Sequence, residues 1–116
     1  MFSWVKRGGG GVGEVTPEAL KADLDAGADI QVLDVRPPEE YRLRRIPGAV
    51  LVPLPELGRR MGELDREREV VVYCYSGHRS ALACCWLRSA GFTRVRNLAG
   101  GITAWSARVD ATAAAS

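Results

Sequence analysis

The chain of 116 residues has only three cysteines, two methionines and one histidine, and no apolar run approaches the roughly 18 residues of a membrane span. A membrane-spanning protein is therefore not expected. The start, Met1-Phe2-Ser3-Trp4-Val5-Lys6-Arg7, places its apolar residues before its charges, the reverse of a secretory signal. Three cysteines make an odd set with no Cys-x-x-Cys unit, which argues against a disulfide framework and against a zinc cluster. No metal and no cofactor are expected, and the set suits a reducing compartment such as the cytoplasm. An excess of charge of one sign is lacking as well. Sixteen Lys and Arg against fourteen Asp and Glu leave +2, with no basic block beside repeated aromatics, so nucleic acid is not an expected partner. Gly8 to Gly11 lack a preceding strand and a following Gly-Lys-Ser/Thr, which excludes a phosphate loop.

What remains is an ordinary globular composition, 47% hydrophobic and 26% charged, in a chain long enough for one domain and too short for two. A monomer is expected. Residues 1–13 read as a flexible glycine-rich lead, 14–108 as the domain, and 109–116 as a tail. Thr16 is placed to cap a helix that has Pro17 at its first position, Leu20 and Leu24 on its apolar side and Gly27 at its end. Ile30 to Val35 reads as a buried strand. A short helix is expected over Pro38 to Arg44, a strand over Ala49 to Val52, and a helix over Glu56 to Leu64 with Leu57, Met61 and Leu64 on one face. Strands at Val70 and Val95, with Gly100-Gly101 permitting a close turn into Ile102 to Ala107, complete an α/β pattern. It predicts a mostly parallel central sheet with helices on both faces. The arginines at 42, 44, 45, 59, 60, 66 and 68 read first as solvated helix faces and second as a field that draws small anions inward.

The rest of the chain is organised around Val70-Val71-Val72-Tyr73-Cys74-Tyr75-Ser76-Gly77-His78-Arg79-Ser80. A β-branched run, a cysteine, a loop with one glycine and a helix-forming run predict strand, tight loop and helix. Cys74 then faces the free N–H groups of a first helical turn, which favour an anion. A helix dipole supplies up to about 2 kcal/mol, so a thiol with an ordinary pKa of about 8.5 needs further help from loop amides or from Arg79. Arg79 is also a fork of donors suited to an oxyanion substrate. Ser80, Ala83, Cys84 and Leu87 follow the spacing of one buried helix face, which makes Cys84 core; Cys85 and Trp86 fall off it, and Trp105 reads as core filling. A Cys74–Cys84 disulfide is excluded by a helical rise of roughly 9 Å.

Cys-x-x-Gly-x-Arg-Ser after a valine-rich strand resembles the active-site loop of rhodanese-type sulfurtransferases, here Cys74, Gly77, Arg79 and Ser80. Three further landmarks of that family occur in order. They are Asp34, Arg36, Glu40 and Tyr41, then Ile46 to Ala49, then Leu98, Gly100, Gly101, Ile102 and Trp105. One departure is Arg44-Arg45, where the family usually has Gly-His. The resemblance implies a rhodanese-like fold and a catalytic Cys74, with a substrate-binding loop of Tyr75, Ser76, Gly77, His78, Arg79 and Ser80. Asp34 and Arg36 take a supporting role. It further implies transfer of sulfane sulfur from an anionic donor such as thiosulfate to cyanide, a thiol or a protein, through a persulfide on Cys74. Two rivals stay open. Phosphatases and arsenate reductases resemble a Cys-x5-Arg loop, one residue longer than the Cys-x4-Arg found here, and regulatory or sulfur-relay modules share the fold.

Overall fold

A computed structural model describes residues 13–109. Apart from Gly13 and Val109, the lead and tail expected at 1–13 and 109–116 lie outside the described residues. Five strands form one all-parallel sheet in the order β1-β5-β4-β2-β3. They are β1 (Glu14–Val15), β2 (Ile30–Asp34), β3 (Val50–Leu51), β4 (Glu69–Tyr73) and β5 (Val95–Leu98). Every carboxyl end therefore lies along one edge, the usual place for chemistry in an open α/β sheet.

β4 is central because its side chains suit both faces. Val70, Val71, Val72 and Tyr73 are completely buried and alternate between two apolar layers. Val70, Val72 and Cys74 enter one layer with Leu33, Leu57, Ala83, Cys84, Leu87 and Phe92. Val71 and Tyr73 enter the other with Leu20, Ile46, Leu98, Ile102 and Trp105. Helices α1 (Pro17–Asp25) and α5 (Gly101–Arg108) cover this second face, while α3 (Leu57–Arg60) and α4 (His78–Ser89) cover the first. The short α2 (Pro38–Leu43) crosses near the carboxyl edge, with Tyr41 against the second layer. Thr16 Oγ1 accepts from the Ala19 N–H at 3.1 Å and Pro17 opens α1, as the cap pattern predicts.

Three local expectations need correction. The helix expected over Glu56 to Leu64 is broken into a 3-10 turn at Leu54–Glu56, the single-turn α3, and a second 3-10 turn at Met61–Glu63. Pro55 has no N–H to give, and Gly58 and Gly62 weaken a helix by about 1 kcal/mol each, so the segment tightens instead of extending. Leu57 and Leu64 are buried all the same. The strand expected at Ala49 to Val52 narrows to Val50–Leu51, because only these two pair with Leu33 and Asp34 of β2. Gly13, assigned to the flexible lead, is buried, and its carbonyl accepts from the Asn97 N–H at 2.6 Å.

The arginines divide by position. Arg60 bridges Glu56 and Glu63, Arg68 pairs with Asp29, and Arg66 donates to the Ala90 carbonyl while lying over Phe92. Arg96 is fully buried between Glu69 and Asp23, joining β5, β4 and α1. No helix among the described residues is long and apolar enough to cross a membrane.

Candidate active site

Strand β4 ends at Tyr73, and the next residue, Cys74, turns its sulfur toward the start of α4. Gly77 permits the turn, at φ +114°. No side-chain oxygen caps this helix. The sulfur takes that part: it accepts from the Gly77 N–H at 3.1 Å, the Ser80 N–H at 3.4 Å and the Ser80 hydroxyl at 3.3 Å. Burial alone would push this thiol up. The Ser80 hydroxyl and the N–H groups of Ser80, Gly77 and Ser76 outweigh burial and hold Cys74 below the ordinary thiol value. No guanidinium is among the main groups that lower it, so the help sought from Arg79 comes chiefly from Ser80 and the amides.

The cradle faces inward because its carbonyls are tied elsewhere. Cys74 O accepts from the Ile102 N–H at 2.9 Å, and Tyr75 O accepts from both the Thr103 N–H and the Thr103 hydroxyl. Gly101, at φ +61°, makes this approach possible: a Cβ there would stand 2.5 Å from the Cys74 carbonyl oxygen. Asn97 holds the other side. Its Nδ2 donates to the Gly77 carbonyl at 3.1 Å, and its Oδ1 lies 2.6 Å from the Ser80 hydroxyl.

A cleft of about 500 Å³ opens over the sulfur, which sits at its floor in a residue only 1% exposed. Cys74, Tyr75, Ser76, His78 and Arg79 line it together with Arg36, Glu40, Leu43 and Arg44. Gly77 and Ser80 stand behind the sulfur. Ser76 Oγ and His78 Nδ1 lie 3.2 Å apart at the rim. Asp34 does not line the cleft; it grips Arg36 through three side-chain hydrogen bonds of 2.7–3.1 Å. Burial works against the Arg36 charge, yet these bonds and the charges of Asp34 and Glu40 raise its pKa above the ordinary value. Arg36 also donates to the Arg44 carbonyl at 2.6 Å and lies 5.5 Å from the Tyr73 ring centre. The unusual Arg44-Arg45 pair is thus accommodated by main chain, with Arg45 stacked 4.5 Å over Tyr41. Cys84 is buried and its thiol is pushed up to about 12 by burial, while Cys85 is exposed. No group of three His, Cys, Asp or Glu among the described residues is placed to hold a metal.

The profile of the Rhodanese-like domain family matches residues 16–108. The chain belongs to the rhodanese-like family. A sulfurtransferase of Allochromatium vinosum is 41% identical over 95 residues, 82% of this chain and 89% of its own. Bacillus subtilis YrkF, a putative sulfur carrier protein, is 36% identical over 97 residues; this rhodanese-like chain spans 52% of it. The crystal structure of a rhodanese-related protein from Thermoplasma volcanium superposes with a TM-score of 0.75 at 29% identity, covering 82% of this chain and 91% of that one. Such relatives support sulfur transfer in general.

Within this rhodanese-like domain, Asn97, Thr103, Leu43 and Arg44 join the site residues expected from sequence, and Glu40, a family landmark, lines the cleft. Nothing in the sequence around Asn97 marks it. It reaches the cysteine loop because β5 pairs in register with β4, Asn97 beside Val72 and two residues short of Cys74.

Proposed function

We propose that the protein is a persulfide-forming sulfurtransferase with Cys74 as its nucleophile. The observation that carries this reading is a sulfur on the floor of an open cleft, held by two backbone N–H groups and a hydroxyl that favour its anion despite burial. The Cys74 thiolate attacks the outer sulfur of an anionic donor such as thiosulfate. A new S–S bond forms, the donor's S–S bond breaks, and sulfite departs with the electron pair. The persulfide then faces the cleft, with the loop N–H groups positioned to stabilise its charge. An acceptor thiolate, or cyanide, takes the outer sulfur and Cys74 leaves as thiolate, so the cycle closes without net oxidation. Arg79, at the cleft wall, binds the donor anion. Asp34 supports Arg36 in shaping the wall.

The likeness to a putative sulfur carrier favours an acceptor thiol borne by a protein. Three free cysteines suit a reducing compartment, and the cytoplasm is the proposed location.

Intact mass after incubation with thiosulfate tests the reading. One added sulfur is expected, removable by cyanide, absent in Cys74→Ser and retained in Cys84→Ala. An unchanged mass with every sulfane donor, together with hydrolysis of an aryl phosphate, would replace this reading with the phosphatase one.

A further inference from the structure

Glu40 occupies an unusual position in the cleft wall. Its Oε1 lies 4.0 Å from Arg36 Nη1 and 3.9 Å from Arg79 Nη2, too far for a hydrogen bond to either. That oxygen is enclosed and accepts no hydrogen bond among the described residues. The two guanidiniums differ in how far their charge is already met. Arg36 is engaged by the fully buried Asp34 and by the Arg44 carbonyl. Arg79 is 40% exposed, and Glu40 is the one carboxylate within 4.0 Å of it among the described residues. A resident negative charge thus stands beside the cation that an incoming anion would use. Such a carboxylate opposes each negative charge a donor carries, so a dianion meets about twice the repulsion of a monoanion at the same place.

We propose that Glu40 is a specificity-determining residue, a built-in anion that disfavours doubly charged donors such as thiosulfate relative to singly charged donors such as small alkyl persulfides. The proposal rests on the reading of Cys74 as nucleophile for the identity of the donors, but not for the binding of anions in the cleft. It differs in sign from a positioning role. If Glu40 served to hold Arg79 in place for the substrate, removing its charge would weaken anion binding; as a competing anion, its removal strengthens binding.

The experiment compares wild type, Glu40→Gln and Glu40→Asp. Its first arm uses sulfate, an inert dianion, and measures the concentration that half-protects Cys74 from iodoacetamide. Its second arm measures KM for thiosulfate and for cysteine persulfide. In Glu40→Gln the half-protecting sulfate concentration and the thiosulfate KM are expected to fall about three- to tenfold, a modest effect because the site is part-exposed. The cysteine persulfide KM is expected to fall less. Glu40→Asp keeps the charge and should retain the wild-type sulfate value. Unchanged or weaker protection by sulfate in Glu40→Gln overturns the role assigned to Glu40. Equal gains for thiosulfate and cysteine persulfide overturn the charge discrimination. Failure of every donor to load Cys74 sinks the sulfurtransferase reading instead, and the sulfate arm still decides whether Glu40 competes with anions.

Discussion

The Ser80 hydroxyl oxygen lies 2.6 Å from Asn97 Oδ1, closer than its 3.3 Å separation from the Cys74 sulfur. One hydroxyl carries one hydrogen, so it can serve only one of these acceptors well at a time. A neutral Cys74 leaves that hydrogen to Asn97. Ionised, the sulfur competes for it and has the backbone N–H groups of Gly77 and Ser80 as further donors.

Ser80→Ala should therefore raise the Cys74 pKa toward the ordinary thiol value, because it removes a hydrogen bond that favours the charged sulfur. Rate of alkylation against pH measures the shift. The sign carries over to stability. A thiolate whose folded pKa is depressed contributes stability above the unfolded value of about 8.5, and that contribution is lost as pH falls through the folded pKa. The alanine variant should accordingly lose more stability at about pH 9.5 than at about pH 6. Equal losses at both would show that Ser80 acts on packing alone.

Arg79→Ala should raise the thiosulfate KM about tenfold while moving the alkylation midpoint less than Ser80→Ala does, because the guanidinium lies at the wall and the hydroxyl touches the sulfur. Arg79→Lys restores the charge without the planar fork and should recover only part of the affinity. An alkylation shift in Arg79→Ala as large as that of Ser80→Ala would give the guanidinium the leading role in ionising Cys74.

Gly101→Ala should cost about 2 kcal/mol or more, through a positive φ and overlap with the Cys74 and Tyr75 carbonyls. It should also slow sulfur loading by displacing the loop. Gly58→Ala is the control: nothing beyond its chain neighbours and its own helix backbone lies within 4 Å of its Cβ position and its φ is not positive, so a gain of about 0.4–1 kcal/mol is expected. Thermal midpoints and persulfide mass yields measure both. Wild-type loading in Gly101→Ala would mean that α5 does not set the loop geometry.

Much of the fold was legible where local chemistry is decisive. Thr16 and Pro17 mark a helix start whatever surrounds them, and Ser80, Ala83, Cys84 and Leu87 are the buried residues of α4, at the spacing read from sequence. The division of Glu56 to Leu64 into three short turns was not legible, because the apolar spacing is helical while Pro55, Gly58 and Gly62 decide against a continuous helix. Candidate site residues clustered within 74–80 were readable as a motif. Asn97 and Thr103 were not, since they meet the loop only through strand register and the docking of α5. Glu40 was visible as a residue, but its place between two guanidiniums depends on how α2 lies beside α4.

The bonds from α5 to the cysteine loop also carry a consequence for synthesis. Thr103 follows Tyr75 by 28 residues. At about 5–20 residues per second, roughly one to six seconds pass on the ribosome between the making of the loop and that of the residues that turn its carbonyls away from the sulfur. For most of that interval β4 also lacks its neighbour β5, and Ser80 lacks Asn97. A nascent chain that ends before Gly101 thus lacks the Ile102 and Thr103 donors that hold the Cys74 and Tyr75 carbonyls, although Ser76, Gly77 and Ser80, whose groups lower the Cys74 pKa, are already made. Fixing of the loop carbonyls is deferred until α5 is made.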